Sequence, residues 1–214
     1  MKSNKNKIII LGAGDLGLQM AHFITHYSND EIVGWLDDSK EKGAMFYDKP
    51  ILGGFAELAN LNNYDAVCLG IGYKHLTFKN KLLKELESKK IKLYTFIHPT
   101  AYIDCSSKIE DGVFIYPKAN IDQRVILRAG TIINNSAVVS HDSLIDRCTF
   151  IAPGVNIAGN VLIGESCFLG IGSTIIENIK IAKGVNLGAK TLICRDILEQ
   201  GTYVGGPKLK KISK

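Results

Sequence analysis

From residue 97 onward an aliphatic side chain returns at every sixth position: Ile97, Ile103, Ile109, Ile115, Ile121, Leu127, Ile133, Val139, Ile145, Ile151, Ile157, Ile163, Leu169, Ile175, Ile181, Leu187 and Ile193. Seventeen hexads run without a gap or a slip, so this is a true internal repeat. Four residues after each stands something small or β-branched, from Ala101 and Ser107 to Val185 and Thr191. A period of six fits neither the 3.6 of a helix nor the 2 of a flat strand. It fits a chain wound round a three-sided prism, one hexad per face, with the aliphatic residue pointing to the axis. Three hexads then close a coil of 18 residues, and successive coils hydrogen-bond at the roughly 4.8 Å spacing of neighbouring strands. The small residue fits near a corner, and Gly and Asn-type polar residues serve the turns. Seventeen hexads make between five and six coils, enough for a continuous core.

Ahead of the repeat the pattern is different. Short apolar strands at 7–11, 31–36, 65–69 and 92–96 alternate with helical stretches at 16–26 and 76–89; the polar stretch 37–49 reads as a loop. Strand–helix alternation with apolar strands means a small parallel sheet covered by helices. The chain of 214 residues therefore divides into an α/β Rossmann-like domain at 1–96 and a parallel β-helix with a basic tail at 97–214.

Composition narrows the classes. At 46% apolar and 22% charged the chain is ordinary for a soluble globular protein, and no apolar run nears the ~20 residues of a membrane helix. The basic start leads only into Ile8, Ile9, Ile10 and Leu11 and then glycines, which is no signal-peptide core, so a cytoplasmic protein is expected. Five cysteines (Cys68, Cys105, Cys148, Cys167, Cys194) are scattered with no CxxC pair, as buried thiols in a reducing compartment would be. Much of the +5 charge lies at the ends, in Lys2, Lys5 and Lys7 and in Lys208, Lys210, Lys211 and Lys214. Such ends are solvated tails or hold a phosphate-bearing ligand; nothing in the aromatic pattern suggests nucleic acid.

The hexads, preceded by a strand–helix domain, make the sequence resemble the hexapeptide-repeat acyltransferases from Ile8 to Pro207. Among these it resembles the UDP-amino-sugar N-acetyltransferases of bacillosamine biosynthesis and sialic-acid O-acetyltransferase-like proteins. The resemblance implies a left-handed coil, a homotrimer with sites between subunits, acetyl-CoA as acyl donor, and a role in bacterial surface-glycan biosynthesis.

Gly12-Ala13-Gly14-Asp15-Leu16-Gly17 is a GxGxxG turn between a strand and a helix, with Asp37 about 20 residues beyond. Such a turn lets phosphate approach a helix N-terminus. Three readings follow: NAD binding, a purely structural turn, or a nucleotide sugar. Four strands are few for a dinucleotide fold, and no dehydrogenase domain follows, so a mononucleotide fits better; the resemblance also implies the nucleotide sugar. Gly12, Gly14, Asp15, Asp37, Asp38, Gly72 and Tyr73 cluster at the carboxyl ends of the strands, where α/β sheets bind ligands. Relatives carry a more polar turn here, and Asp15 would repel a diphosphate unless it serves the helix start.

Within the coil, His141 followed by Asp142 matches the family's active-site segment. That match implies His141 as general base, Asp142 as its orienting partner and Asn134 as a polar support. An imidazole suits proton removal from an amine attacking a thioester, although a lone histidine on a corner is most often merely solvated. One coil later, 141 plus 18, stands Gly159, whose N–H is a candidate oxyanion donor; a simple turn glycine is the alternative. Relatives often carry a second histidine nine residues past the base, where this chain has Phe150, so either that histidine is dispensable or the acyl pocket is more apolar. His98 resembles a junction motif of structural role. The closing segment through Gly206 and Pro207, with Lys208 and Lys210 beyond it, resembles the family's turn beside coenzyme A.

The expected activity is CoA-dependent N-acetylation of a nucleotide-linked amino sugar, of 4-amino-4,6-dideoxyhexose type by resemblance. A sialic-acid-type O-acetyltransferase and a non-catalytic β-helix scaffold are the alternatives. A γ-type carbonic anhydrase shares the coil but needs three zinc-binding histidines, and the repeat holds only His98 and His141, so no metal is expected.

Overall fold

The computed structural model describes residues 5–205. Five strands form the N-terminal sheet: β1 (Lys7–Leu11), β2 (Glu31–Leu36), β3 (Met45–Phe46), β4 (Lys49–Gly53) and β5 (Ala66–Leu69), in the order β3-β4-β2-β1-β5. Only the β3–β4 pair is antiparallel. Helix α1 (Asp15–Tyr27) returns the chain from β1 to β2, and α2 (Leu76–Ser88) follows β5. The order reverses at β1, with β2 on one side and β5 on the other, so a switch point opens between the carboxyl ends of β1 and β5.

Two elements differ from the sequence expectation. The stretch 37–49 is not all loop: β3 and β4 form a hairpin whose two turn residues, Tyr47 and Asp48, have φ of 46° and 60°. The expected fourth strand at 92–96 shrinks to a single bridge between Leu93 and Val67. The coil takes Phe96 instead, its N–H bonding the Val113 carbonyl at 3.0 Å.

Three stacks of two-residue parallel strands build the prism, with seven strands on the first face, six on the second and five on the third. The first face begins at Phe96–Ile97, the second at Tyr102–Ile103 and the third at Lys108–Ile109. Each hexad aliphatic is the second residue of its strand and pairs with its counterpart 18 residues on, as Ile115 with Ile133 and Ile133 with Ile151. From Ile115 onward these side chains are buried; Ile97 is exposed at the open first coil. Burying one such side chain contributes about 2–3 kcal/mol. The companion positions Val113, Ala119, Val125, Ala137, Val155 and Val161 are buried beside them.

The corners share one conformation. Every sixth residue from Gly112 to Lys190 has positive φ, and most of these are not glycine; they include Arg124, Asp142 and Asn160. Each non-glycine corner costs about 1–2 kcal/mol relative to a right-handed conformation, least for Asn and Asp, and coil stacking offsets it.

The N-terminal domain sits on the first face. Phe96, Phe114, Ile132 and Phe150 point outward there and share one buried cluster with Ile8, Met20 and Trp35. At the neighbouring corner Arg147 pairs with Glu87 of α2 at 2.6 Å, and Asn80 of α2 donates to Glu165 at 2.9 Å. These contacts fix the domain against the coil. Among the described residues, no helix is long and apolar enough to cross a membrane. Cys68, Cys148 and Cys167 are buried, whereas Cys105 and Cys194 are exposed.

Candidate active site

His141 stands at the corner between the second and third faces, its side chain half exposed. Its Nδ1 lies 2.9 Å from Oδ2 of Asp142. An ionised carboxylate only accepts, so Nδ1 carries the proton in this hydrogen bond, which leaves the lone pair of a neutral ring on Nε2. Two bonds from Arg124, one coil below, and the bond from His141 hold the Asp142 carboxyl well below the usual carboxylate range. Asp142 is thus an anion at any working pH.

Gly159 lies one coil above, directly against the ring. A Cβ built on it would fall 2.5 Å from His141 Cε1 and 2.7 Å from Nε2, so only glycine leaves the imidazole its place. Its carbonyl accepts from Asn178 N–H, and the His141 carbonyl accepts from Asn160 N–H, both at 3.0 Å. Among the described residues no acceptor takes up the N–H of Gly159 itself.

A cleft of about 610 Å³ lies at the switch point of the N-terminal sheet. Gly14 and Asp15 line it from the turn after β1, and Gly70, Gly72 and Tyr73 from the end of β5. Across from them lie Asn134, Phe150 and Phe168 of the coil. Tyr73 stacks on Phe168 with ring centres 4.5 Å apart, and Phe150 leans on both. Phe150 is therefore on the first face under the N-terminal domain, not beside His141 of its own chain. Asn134, at the corner between first and second faces, is likewise an edge away from His141.

The other predicted positions fall outside that cleft. Gly12 is buried with φ of 107°, its missing side chain making room for the Gly70 carbonyl. Asp37 accepts from Ala13 N–H at 2.8 Å and from the N–H and hydroxyl of Ser39, which ties the glycine turn to the end of β2. Burial works against its charge, but these bonds and Lys40 outweigh it and hold the carboxyl below its ordinary value. Asp38 caps the short helix Phe55–Asn60, accepting from Phe55 N–H at 2.8 Å. Gly206, Pro207, Lys208 and Lys210 lie outside the described residues. An open hollow of about 740 Å³ at the coil's end includes Arg195 and Gly205.

Three residues escaped the sequence reading. Lys74 and His75 line the cleft directly after Tyr73, and their place just past a strand's carboxyl end was the signal. Arg124 lies 18 residues before Asp142, so the arithmetic that finds Gly159 finds it when run backward.

Residues 7–86 match the family described as the PglD N-terminal domain. No curated protein matches the chain significantly. The acetyltransferase domain of PglB from Neisseria gonorrhoeae FA1090, solved in complex with acetyl coenzyme A, is 28% identical, over 95% of this chain and 98% of that one, with a TM-score of 0.83. The N-terminal match and the end-to-end likeness to an acetyltransferase domain make the chain similar to the hexapeptide-repeat sugar acyltransferases. PerB from Caulobacter crescentus, in complex with CoA and GDP-perosamine, shares the fold at 23% identity, over 93% of this chain and 94% of that one, with a TM-score of 0.85. WeeI from Acinetobacter baumannii AYE does so at 20%, over 94% and 97%, with a TM-score of 0.78. In the shared fold an α/β Rossmann-like sheet precedes a left-handed parallel β-helix.

Proposed function

We propose that the protein is an acetyl-CoA-dependent N-acetyltransferase for a nucleotide-linked amino sugar, working as a homotrimer in the cytoplasm. One observation carries the chemistry: His141, oriented by Asp142, lies directly against Gly159, in a fold shared end to end with an acetyltransferase domain solved with acetyl coenzyme A. PerB, with the same fold, binds CoA and GDP-perosamine, which supports an amino sugar of 4-amino-4,6-dideoxyhexose type.

In this reading Gly14, Asp15, Gly72 and Tyr73 receive the sugar nucleotide in the cleft, while Gly12, Asp37 and Asp38 hold the turns that shape it. Asn134 faces the same cleft and supports the sugar. His141 Nε2 accepts the proton as the sugar nitrogen attacks the thioester carbon. Gly159 N–H donates to the developing oxyanion. The C–S bond breaks as the amide forms, and His141 returns its proton to the sulfur of the leaving coenzyme. Asp142 stabilises the imidazolium in between. Gly206, Pro207, Lys208 and Lys210 supply backbone and positive charge to the coenzyme's phosphates. In one chain, cleft and His141 occupy different edges of the prism, which supports a site completed by a neighbouring subunit.

The test is thiol release from acetyl-CoA with a panel of UDP-, GDP- and dTDP-linked amino sugars. Release with at least one of them is expected, and His141→Ala should lower turnover by roughly 10²-fold or more. No release with any amino sugar, or full turnover in the alanine variant, refutes the proposal.

A further inference from the structure

Arg124 lies one coil below Asp142 and grips its carboxylate with two parallel bonds, Nε donating to Oδ1 at 2.6 Å and Nη2 to Oδ2 at 2.7 Å. The same Oδ2 accepts from His141 Nδ1 at 2.9 Å. Both 124 and 142 are positive-φ corners 18 residues apart, so their backbones stack and the fork is held in register. Arg124 also donates to Gln123 Oε1 at 3.3 Å, and Asp104 and Asp122 face it. Above the ring stand Gly159 and Asn160, both uncharged; Glu177 and Arg195 follow only at further steps of 18. Arg124 and Asp142 are thus the charges in direct sequence of contact with His141.

Two consequences follow from this chain of bonds. A guanidinium fork is planar and bidentate, so it fixes the plane of the carboxylate and hence the direction of His141 Nε2. A lone carboxylate beside an imidazole favours the imidazolium, which cannot accept a proton. A carboxylate already neutralised by arginine favours it less and leaves the ring available as a base.

We propose that Arg124 is a positioning residue for acyl transfer: it sets the plane of Asp142 and keeps His141 neutral enough to take the amine proton. This rests on the reading of His141 as the base, and its test is separable from that reading.

The decisive measurement is the NMR titration of the His141 ring in the full chain, with no substrate present. Arg124→Gln should raise the midpoint by roughly half to one pH unit. The acid limb of the kcat/KM profile should move the same way, so that activity lost at pH 7 returns as pH rises. Arg124→Lys keeps the charge without the fork, so its midpoint should move less while kcat falls about threefold or more at unchanged KM. An unchanged or lowered midpoint in Arg124→Gln overturns the proposal. If that variant does not fold, Arg124→Lys decides: an undiminished kcat overturns it and the expected fall upholds it. Should His141→Ala keep its turnover, the base reading fails, whatever the titration of His141 shows.

Discussion

The space around His141 is set by one absent methyl group. Gly159 has no positive φ, so its backbone tolerates alanine, but an alanine Cβ would lie 2.5 Å from the ring's Cε1. The ring cannot yield freely, because Asp142 holds Nδ1. Gly159→Ala should therefore leave thermal melting within a few degrees of wild type and cut turnover by about tenfold or more through misplacement of the base. Unimpaired turnover at wild-type stability would sink the claim that this contact sets the ring. His141 and Gly159 were legible together because stacking adds 18 to a residue number. Arg124 obeys the same rule yet went unread, since an arginine on a corner looks like a solvated charge until the carboxylate it grips is placed.

At the scale of elements, the glycine turn splits into parts with different work. A Cβ on Gly17 would run into the Gly12 carbonyl oxygen and crowd Trp35, so Gly17 lets α1 lie close on the sheet. A Cβ on Gly14 would meet nothing within 4 Å, because Gly14 borders the cleft. Gly17→Ala should lose about 1–3 kcal/mol in urea unfolding. Gly14→Ala should lose about 1 kcal/mol or less, as a poorer helix cap, while raising KM for the sugar nucleotide. Equal stability losses in the two variants would contradict this division. The motif's spacing was readable, but not which glycine faces ligand and which faces protein, since that depends on β5 bringing Gly70 against Gly12. The β3–β4 hairpin was unreadable for a different reason: Tyr47 and Asp48 adopt the φ values that Asn-Gly usually signals. The bridge at Leu93 belongs to the same class, because the coil's claim on Phe96 is made by Val113, far along the chain.

At the scale of the whole molecule, the same step of 18 that builds the core also builds the seat for the N-terminal domain, in Phe96, Phe114, Ile132, Phe150 and Phe168 on the first face. The domain consequently opens its cleft along the edge between first and second faces, while His141 stands between second and third. A single chain does not bring the two together, so the proposed homotrimer would have to join the cleft of one subunit to the histidine of another. Two inactive chains should then rescue each other. Gly72→Trp fills the cleft, since Gly72 has open space around its Cα, and His141→Ala removes the base. Co-expressed with separate tags, the two would form mixed trimers in which about one site in three joins an intact cleft to an intact histidine. Activity near a third of wild type in the purified mixed trimers, against almost none in either variant alone, is the expected result. If the mixture stays as inactive as its components while the trimers are verified as mixed, cleft and histidine act within one chain and the shared site is wrong.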